Sequence, residues 1–140
     1  GDAGTATAVE YVEGASDMYF HTATDGSGAE AIIIPDGAYR NGISKESLKI
    51  EVDTDGLNRS KLNTKMDGMD VFAFAVSKAP KSVAALLEKL QIPQEDIDCF
   101  VFHQANRFLN EKIRKKLKID ASKVPYSLLN YGNTSCATIL

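Results

Sequence analysis

Apolar residues between Phe72 and Leu90 recur at three- and four-residue steps. Phe72, Val76, Ala79, Val83, Leu86, Leu87 and Leu90 form one stripe, the signature of a single amphipathic helix of about five turns. Pro80 interrupts that stripe. It has no N–H and its ring crowds the preceding turn, so a kink or a division of the helix is expected there. A second stripe, Leu109, Ile113 and Leu117, predicts a helix from about Asn106 to Leu117. Ahead of it, Cys99–Phe102 is wholly apolar and reads as a buried parallel strand. Residues 5–12, Met18–Thr24 and Ala31–Ile34 read as three further strands. Asp25-Gly26-Ser27-Gly28 and Pro35-Asp36-Gly37 supply turns. Between 36 and 68 the pattern loosens into loop, with one short strand near Leu48–Val52, and Thr134 onward reads as the first turns of another helix. Strands alternating with helices point to a layered α/β architecture.

Composition adds bounds rather than identity. The chain has 140 residues, 44% hydrophobic and 25% charged, which suits one globular core. No apolar run approaches the roughly 18 residues that cross a bilayer. No charged-then-apolar leader precedes the first strand, so a cytoplasmic protein without membrane attachment is expected. The chain starts at Gly1 without Met and stops on Ala137-Thr138-Ile139-Leu140. Both ends therefore read as cut from a longer protein. Two cysteines, Cys99 and Cys136, sit among apolar or small neighbours and read as buried, reduced thiols. With no CxxC or HxxxH spacing, no zinc site is expected. A net charge of −3 argues against nucleic acid as a partner. The charge is uneven, however: residues 107–123 hold seven Lys or Arg against Glu111 and Asp120.

Candidate chemistry lies in two short segments. His103-Gln104-Ala105-Asn106 follows the apolar run 99–102, and Tyr131-Gly132-Asn133-Thr134-Ser135 comes thirty positions later. A polar side chain at the carboxyl end of a strand points where open α/β sheets bind ligands. Asn106 is a good helix N-cap, and a helix N-terminus offers free N–H groups. His103 and Asn133 together could aim two neutral donors at one oxygen, the requirement for stabilising an enolate or tetrahedral intermediate. A structural His and a turn-forming Asn are the plain alternatives, since Asn tolerates left-handed backbone.

The wording and order of these segments resemble 3-oxoacyl-ACP synthase III, a ketoacyl synthase of the thiolase superfamily. Further stretches agree: Gly1-Asp2-Ala3-Gly4, Met66-Asp67-Gly68-Met69-Asp70-Val71-Phe72, and Glu95-Asp96-Ile97-Asp98. The resemblance implies a partial thiolase-like αβαβα architecture, with mixed sheets and packed helices. Residues 1–65 would be the end of the N-terminal half with a connecting loop, and 66–140 part of the C-terminal half. It implies decarboxylative Claisen condensation of an acyl-CoA starter with malonyl-ACP, giving a 3-oxoacyl-ACP in fatty acid synthesis. His103 and Asn133 would be catalytic, holding the thioester carbonyl of malonyl-ACP, with a neutral His103 as hydrogen-bond donor. Gly68, Met69, Phe72, Ala105 and Asn106 would line the CoA or pantetheine arm, although Met69 replaces an expected Asn. No cofactor is implied beyond the substrates, and the full-length enzyme would be a homodimer.

The family's nucleophilic Cys matches neither Cys99 nor Cys136. On this reading the present chain alone should not condense anything. The basic helix carries a second implication. Arg107, Lys112, Lys115 and Lys116 would dock the acidic acyl carrier protein, although Ala73 and Phe108 stand where some relatives carry Lys and Arg. Two rivals remain: a specialised condensing enzyme of the same superfamily, and a non-catalytic acyl-CoA or ACP binding module. Asp53-Thr54-Asp55-Gly56 evokes a calcium loop, but its Gly comes too early and no Glu closes it, so a turn is expected. His21 is read as structural.

Overall fold

The computed structural model describes residues 3–139. Gly1-Asp2 of the first matching stretch and Leu140 of the expected terminal helix lie outside the described residues. The chain divides into two units. One is Thr24–Phe74; the other joins the segment up to Ala23 with everything from Ala75 onward.

The first unit holds two short antiparallel pairs. Strand β1 (Ile32–Ile33) pairs with β4 (Lys65–Met66), Ile32 opposite Met66. Strand β2 (Glu51–Val52) pairs with β3 (Asn58–Arg59), Glu51 opposite Arg59. The β2–β3 turn is Asp53-Thr54-Asp55-Gly56, closed by Gly56 N–H to Asp53 O at 2.9 Å, with Gly56 at φ +80°. Its carboxylates are used internally. Asp53 accepts from Lys65 Nζ at 2.9 Å and Arg59 Nη1 at 3.3 Å, and Asp55 binds Arg59. The Lys65 hydrogen bond is the main reason the Asp53 carboxyl falls to about 2. The segment is a turn, as its residues predict.

Helix α1 (Gly68–Leu90) begins where Asp67 caps it: Asp67 Oδ1 accepts from Met69 N–H at 2.9 Å and from Asp70 N–H at 3.0 Å. Pro80 does not divide this helix, which runs through it. Proline leaves the carbonyl four residues back, that of Val76, without its helical donor. Lys116 supplies a donor instead, Nζ to Val76 O at 3.1 Å. Lys116 lies on helix α2 (Arg107–Leu117), which ends at Lys118 in the left-handed conformation, φ 57°. A short helix α3 (Leu128–Tyr131) follows. The core of this unit is Phe100, Ile119 and Val124, packed by Val83, Ile97, Phe102, Leu117 and Tyr126.

Three expected strands are not strands. Residues 5–12, 18–24 and 99–102 form no ladder among the described residues. A strand is defined by cross-strand pairing, and β-branched composition supplies only the propensity. In the first two segments, Val9, Tyr11, Met18, Tyr19 and Phe20 stand exposed. His21 likewise lies outside any strand and is exposed. The run 99–102 makes one backbone bond, Phe100 N–H to Lys123 O at 2.8 Å, and alternates buried Phe100 with exposed Cys99 and Val101. The loop expected over 36–68 carries more pairing than predicted, because β3 and β4 fall within it. Among the described residues no helix is long and apolar enough to cross a membrane.

Candidate active site

The His103 loop is clamped by polar side chains on both sides of it. Gln104 is 2% exposed; its Nε2 donates to Phe102 O at 2.8 Å and its Oε1 accepts from Leu128 N–H at 3.4 Å. The His103 carbonyl accepts from Ala105 N–H at 2.9 Å and from Nδ2 of Asn110, which is 1% exposed, at 3.1 Å. Asn106 then caps α2, its Oδ1 accepting from Leu109 N–H at 2.8 Å. The cap predicted from sequence is present, and it occupies the side-chain oxygen of Asn106. Main-chain position at 103 is thereby fixed while the imidazole itself stays exposed.

The second segment is held with equal economy. Gly132 ends α3 at φ 67° and ψ −158°, a region open to glycine almost alone. Asn133 Oδ1 accepts from Ser135 N–H at 2.9 Å, which turns the carboxamide. Ser135 sits at φ 57°, uncommon for a residue with a Cβ. A one-turn 3-10 helix, Ser135–Thr138, follows. Thr138, 6% exposed, donates its hydroxyl to Ser135 O at 3.0 Å and lies 2.7 Å from His103 Nδ1. A continuous path thus runs from Asn133 through Ser135 and Thr138 to His103. The structure brings the two sequence segments together.

The remaining predicted residues fall as follows. Gly68, Met69 and Phe72 form the start of α1 in the Thr24–Phe74 unit, with Met69 76% exposed and Phe72 half-buried. Ala105 is half-buried beside His103. All four basic candidates are exposed. Arg107 lies over the Tyr126 ring at 5.9 Å, Lys112 over Phe108 at 5.2 Å, and Lys116 reaches Val76. Arg114, by contrast, is consumed by structure: it grips Glu111 through Nε at 3.0 Å and Nη2 at 2.8 Å, and donates to Ile119 O at 2.6 Å. Tyr126 Oη donates to the same Glu111 at 2.6 Å. The Arg114 bonds hold Glu111 down at about 2, and burial first, then Glu111, pushes Tyr126 up to about 12.

Sequence reasoning passed over Gln104, Asn110 and Thr138. Asn110 had a signal, a polar residue between Leu109 and Ile113 on the inward side of α2. Gln104 and Thr138 had none, because neither belongs to a periodic stripe. One expectation fails outright: Cys99 and Cys136 are exposed, not buried. Cys99 lies on the outward side of an alternation that turns Phe100 inward, and Cys136 lies on the outer side of the 3-10 turn. Among the described residues no group of three or more His, Cys, Asp or Glu could hold a metal.

Residues 87–140, which contain both segments, match the family profile described as 3-Oxoacyl-[acyl-carrier-protein (ACP)] synthase III C terminal. The beta-ketoacyl-[acyl-carrier-protein] synthase III of Lactococcus lactis subsp. cremoris is 33% identical over 138 residues, covering 95% of this chain and 41% of its own length. The chain belongs to the 3-oxoacyl-ACP synthase III family. A crystal structure of a 3-oxoacyl-(acyl-carrier-protein) synthase III superposes on 84% of the chain with a TM-score of 0.78 and 38% identity, over 35% of that protein. The 3-oxoacyl-(acyl-carrier protein) synthase of Burkholderia xenovorans LB400 gives 0.69 and 33%, over 84% of this chain and 32% of its own. Packed helices with short sheets are accordingly part of the layered α/β, thiolase-like fold of synthase III. The chain spans about two fifths of the length of the curated relatives it matches, 41% and 40% in two of them.

Proposed function

We propose that the protein serves the decarboxylative Claisen condensation of an acyl-CoA starter with malonyl-ACP, yielding a 3-oxoacyl-ACP for fatty acid synthesis. The observation that carries this reading is the hydrogen-bonded path joining Asn133 to His103, in a chain of the synthase III family. Two polar side chains held at fixed positions can polarise one thioester carbonyl. The malonyl C–C bond then breaks, carbon dioxide leaves, and the electron pair rests on the enolate oxygen. The enolate carbon attacks an acyl thioester on a cysteine nucleophile, and the thiolate departs. Neither Cys99 nor Cys136 is assigned that nucleophilic role.

Within this reading Gly68, Met69, Phe72, Ala105 and Asn106 line the pantetheine arm. Exposed Arg107, Lys112, Lys115 and Lys116 receive the acidic acyl carrier protein. A cytoplasmic homodimer belongs to the same proposal. The test is made on the complete gene product, with carbon dioxide release from malonyl-ACP as the readout. His103→Ala and Asn133→Ala should each lower release by about a hundredfold or more, while acylation by the starter persists. Release at the parent rate in both variants would overturn the assignment.

A further inference from the structure

We propose that Gln104 is a positioning residue that sets the distance between His103 and Asn133. It is 2% exposed, and both ends of its carboxamide are used. Nε2 donates to Phe102 O, which can only accept, and Oε1 accepts from Leu128 N–H, which can only donate. The two partners agree on one orientation of the amide, and neither admits the flipped one. A buried carboxamide is costly unless both ends are met, so the side chain holds its two partners at a fixed separation. One partner lies on the chain that leads into His103. The other is the first residue of α3, whose far end leads through Gly132 into Asn133.

The need for such a tie follows from α3 itself. Its four residues close too few bonds to hold a helix alone, so its placement comes from outside. Tyr126 fixes the approach against α2, its Oη on Glu111 at 2.6 Å. Gln104 fixes the start of α3 against the His103 loop. Beyond Asn133, Thr138 meets His103 Nδ1 at 2.7 Å. Asn133 lies midway in sequence between Leu128 and Thr138, so the segment that bears it is moored to the His103 loop at both ends. The His103 main chain is held separately, through Asn110 and Ala105. Loss of the Gln104 side chain therefore frees the Asn133 side and leaves His103 in place.

The consequence rests on the decarboxylating role proposed above. Two groups stabilise one oxyanion only when both reach it, and a misplacement of about 1 Å can cost about a hundredfold in rate. Gln104 is buried and acts on the site through Asn133.

The test is Gln104→Met in the complete gene product, which keeps the length of the side chain and removes both bonds. The kcat for carbon dioxide release from malonyl-ACP should fall by about tenfold to a hundredfold, with KM for malonyl-ACP unchanged and acylation by the starter retained. In an Asn133→Ala background the same substitution should add little, because the group it positions is gone. Release at the parent rate would overturn the proposal, as would a full further loss in the Asn133→Ala background. Acylation lost together with release would assign Gln104 a general role in folding and overturn it too. Hydrogen exchange at the Leu128 amide gives a check without any variant: slow exchange is expected in the unsubstituted protein, and exchange at the rate of an open amide would overturn the tie. The functional reading fails separately: Asn133→Ala with undiminished carbon dioxide release sinks that reading, whereas Asn133→Ala impaired beside an unimpaired Gln104→Met sinks the positioning role alone.

Discussion

Glu111→Gln isolates the charge at the centre of the α2 network while keeping its shape. In the parent, Glu111 is 27% and Arg114 15% exposed at the side chain, and the carboxylate takes bonds from Arg114 and from Tyr126. Charge-assisted bonds in a buried setting contribute about 1.5–3 kcal/mol each, whereas an open surface pair contributes about 0–1 kcal/mol. A carboxylate about a quarter exposed lies between these, so the substitution should cost about 2 kcal/mol at neutral pH. The pH dependence fixes the cause. Glu111 in the folded chain falls to about 2, below its ordinary 4.5. Its contribution is therefore whole above pH 4.5 and is lost as pH falls through about 2. Urea unfolding followed by circular dichroism, repeated across that window, should show the gap between parent and Glu111→Gln narrowing as acid is added. A gap that stays constant from neutral pH to about pH 2 would refute the electrostatic account and leave packing as the cause.

Two further outcomes follow from the site. Asn110→Ala removes the side-chain donor to the His103 carbonyl and should destabilise the fold by about 1–3 kcal/mol; the check is urea unfolding, with the His103 ring signals shifting more than those of His21. Gly132→Ala meets no neighbour within 4 Å at the new Cβ. Its cost should come from the backbone region alone, about 1–3 kcal/mol, and a thermal scan matching the parent would contradict that.

How much of this was legible beforehand depended on what each element needs from elsewhere. Helices α1 and α2 were readable because a helix satisfies its own backbone and announces its buried side by spacing, as Leu109, Ile113 and Leu117 do. The Asn106 cap was readable for the same reason: its partner, Leu109 N–H, lies three residues away. Strands were not, because residues 5–12 and 99–102 carry the composition of strands while pairing depends on partners the local sequence does not name. His103 and Asn133 were found as motifs. The groups that join them were not, since Thr138 contacts a residue 35 positions distant. Cysteine burial failed for a smaller reason: an apolar neighbourhood in sequence does not say which side of an alternating run faces inward.

Pro80 has an effect beyond the helix that contains it. By silencing one amide it leaves the Val76 carbonyl as a lone acceptor on an otherwise self-contained rod, and Lys116 reads that vacancy from α2. An uninterrupted α1 would present a lysine with a uniform surface and no reason to stop at one level. The proline thereby ties one exposed cation of the basic helix to an acceptor that a single imino acid frees on another element.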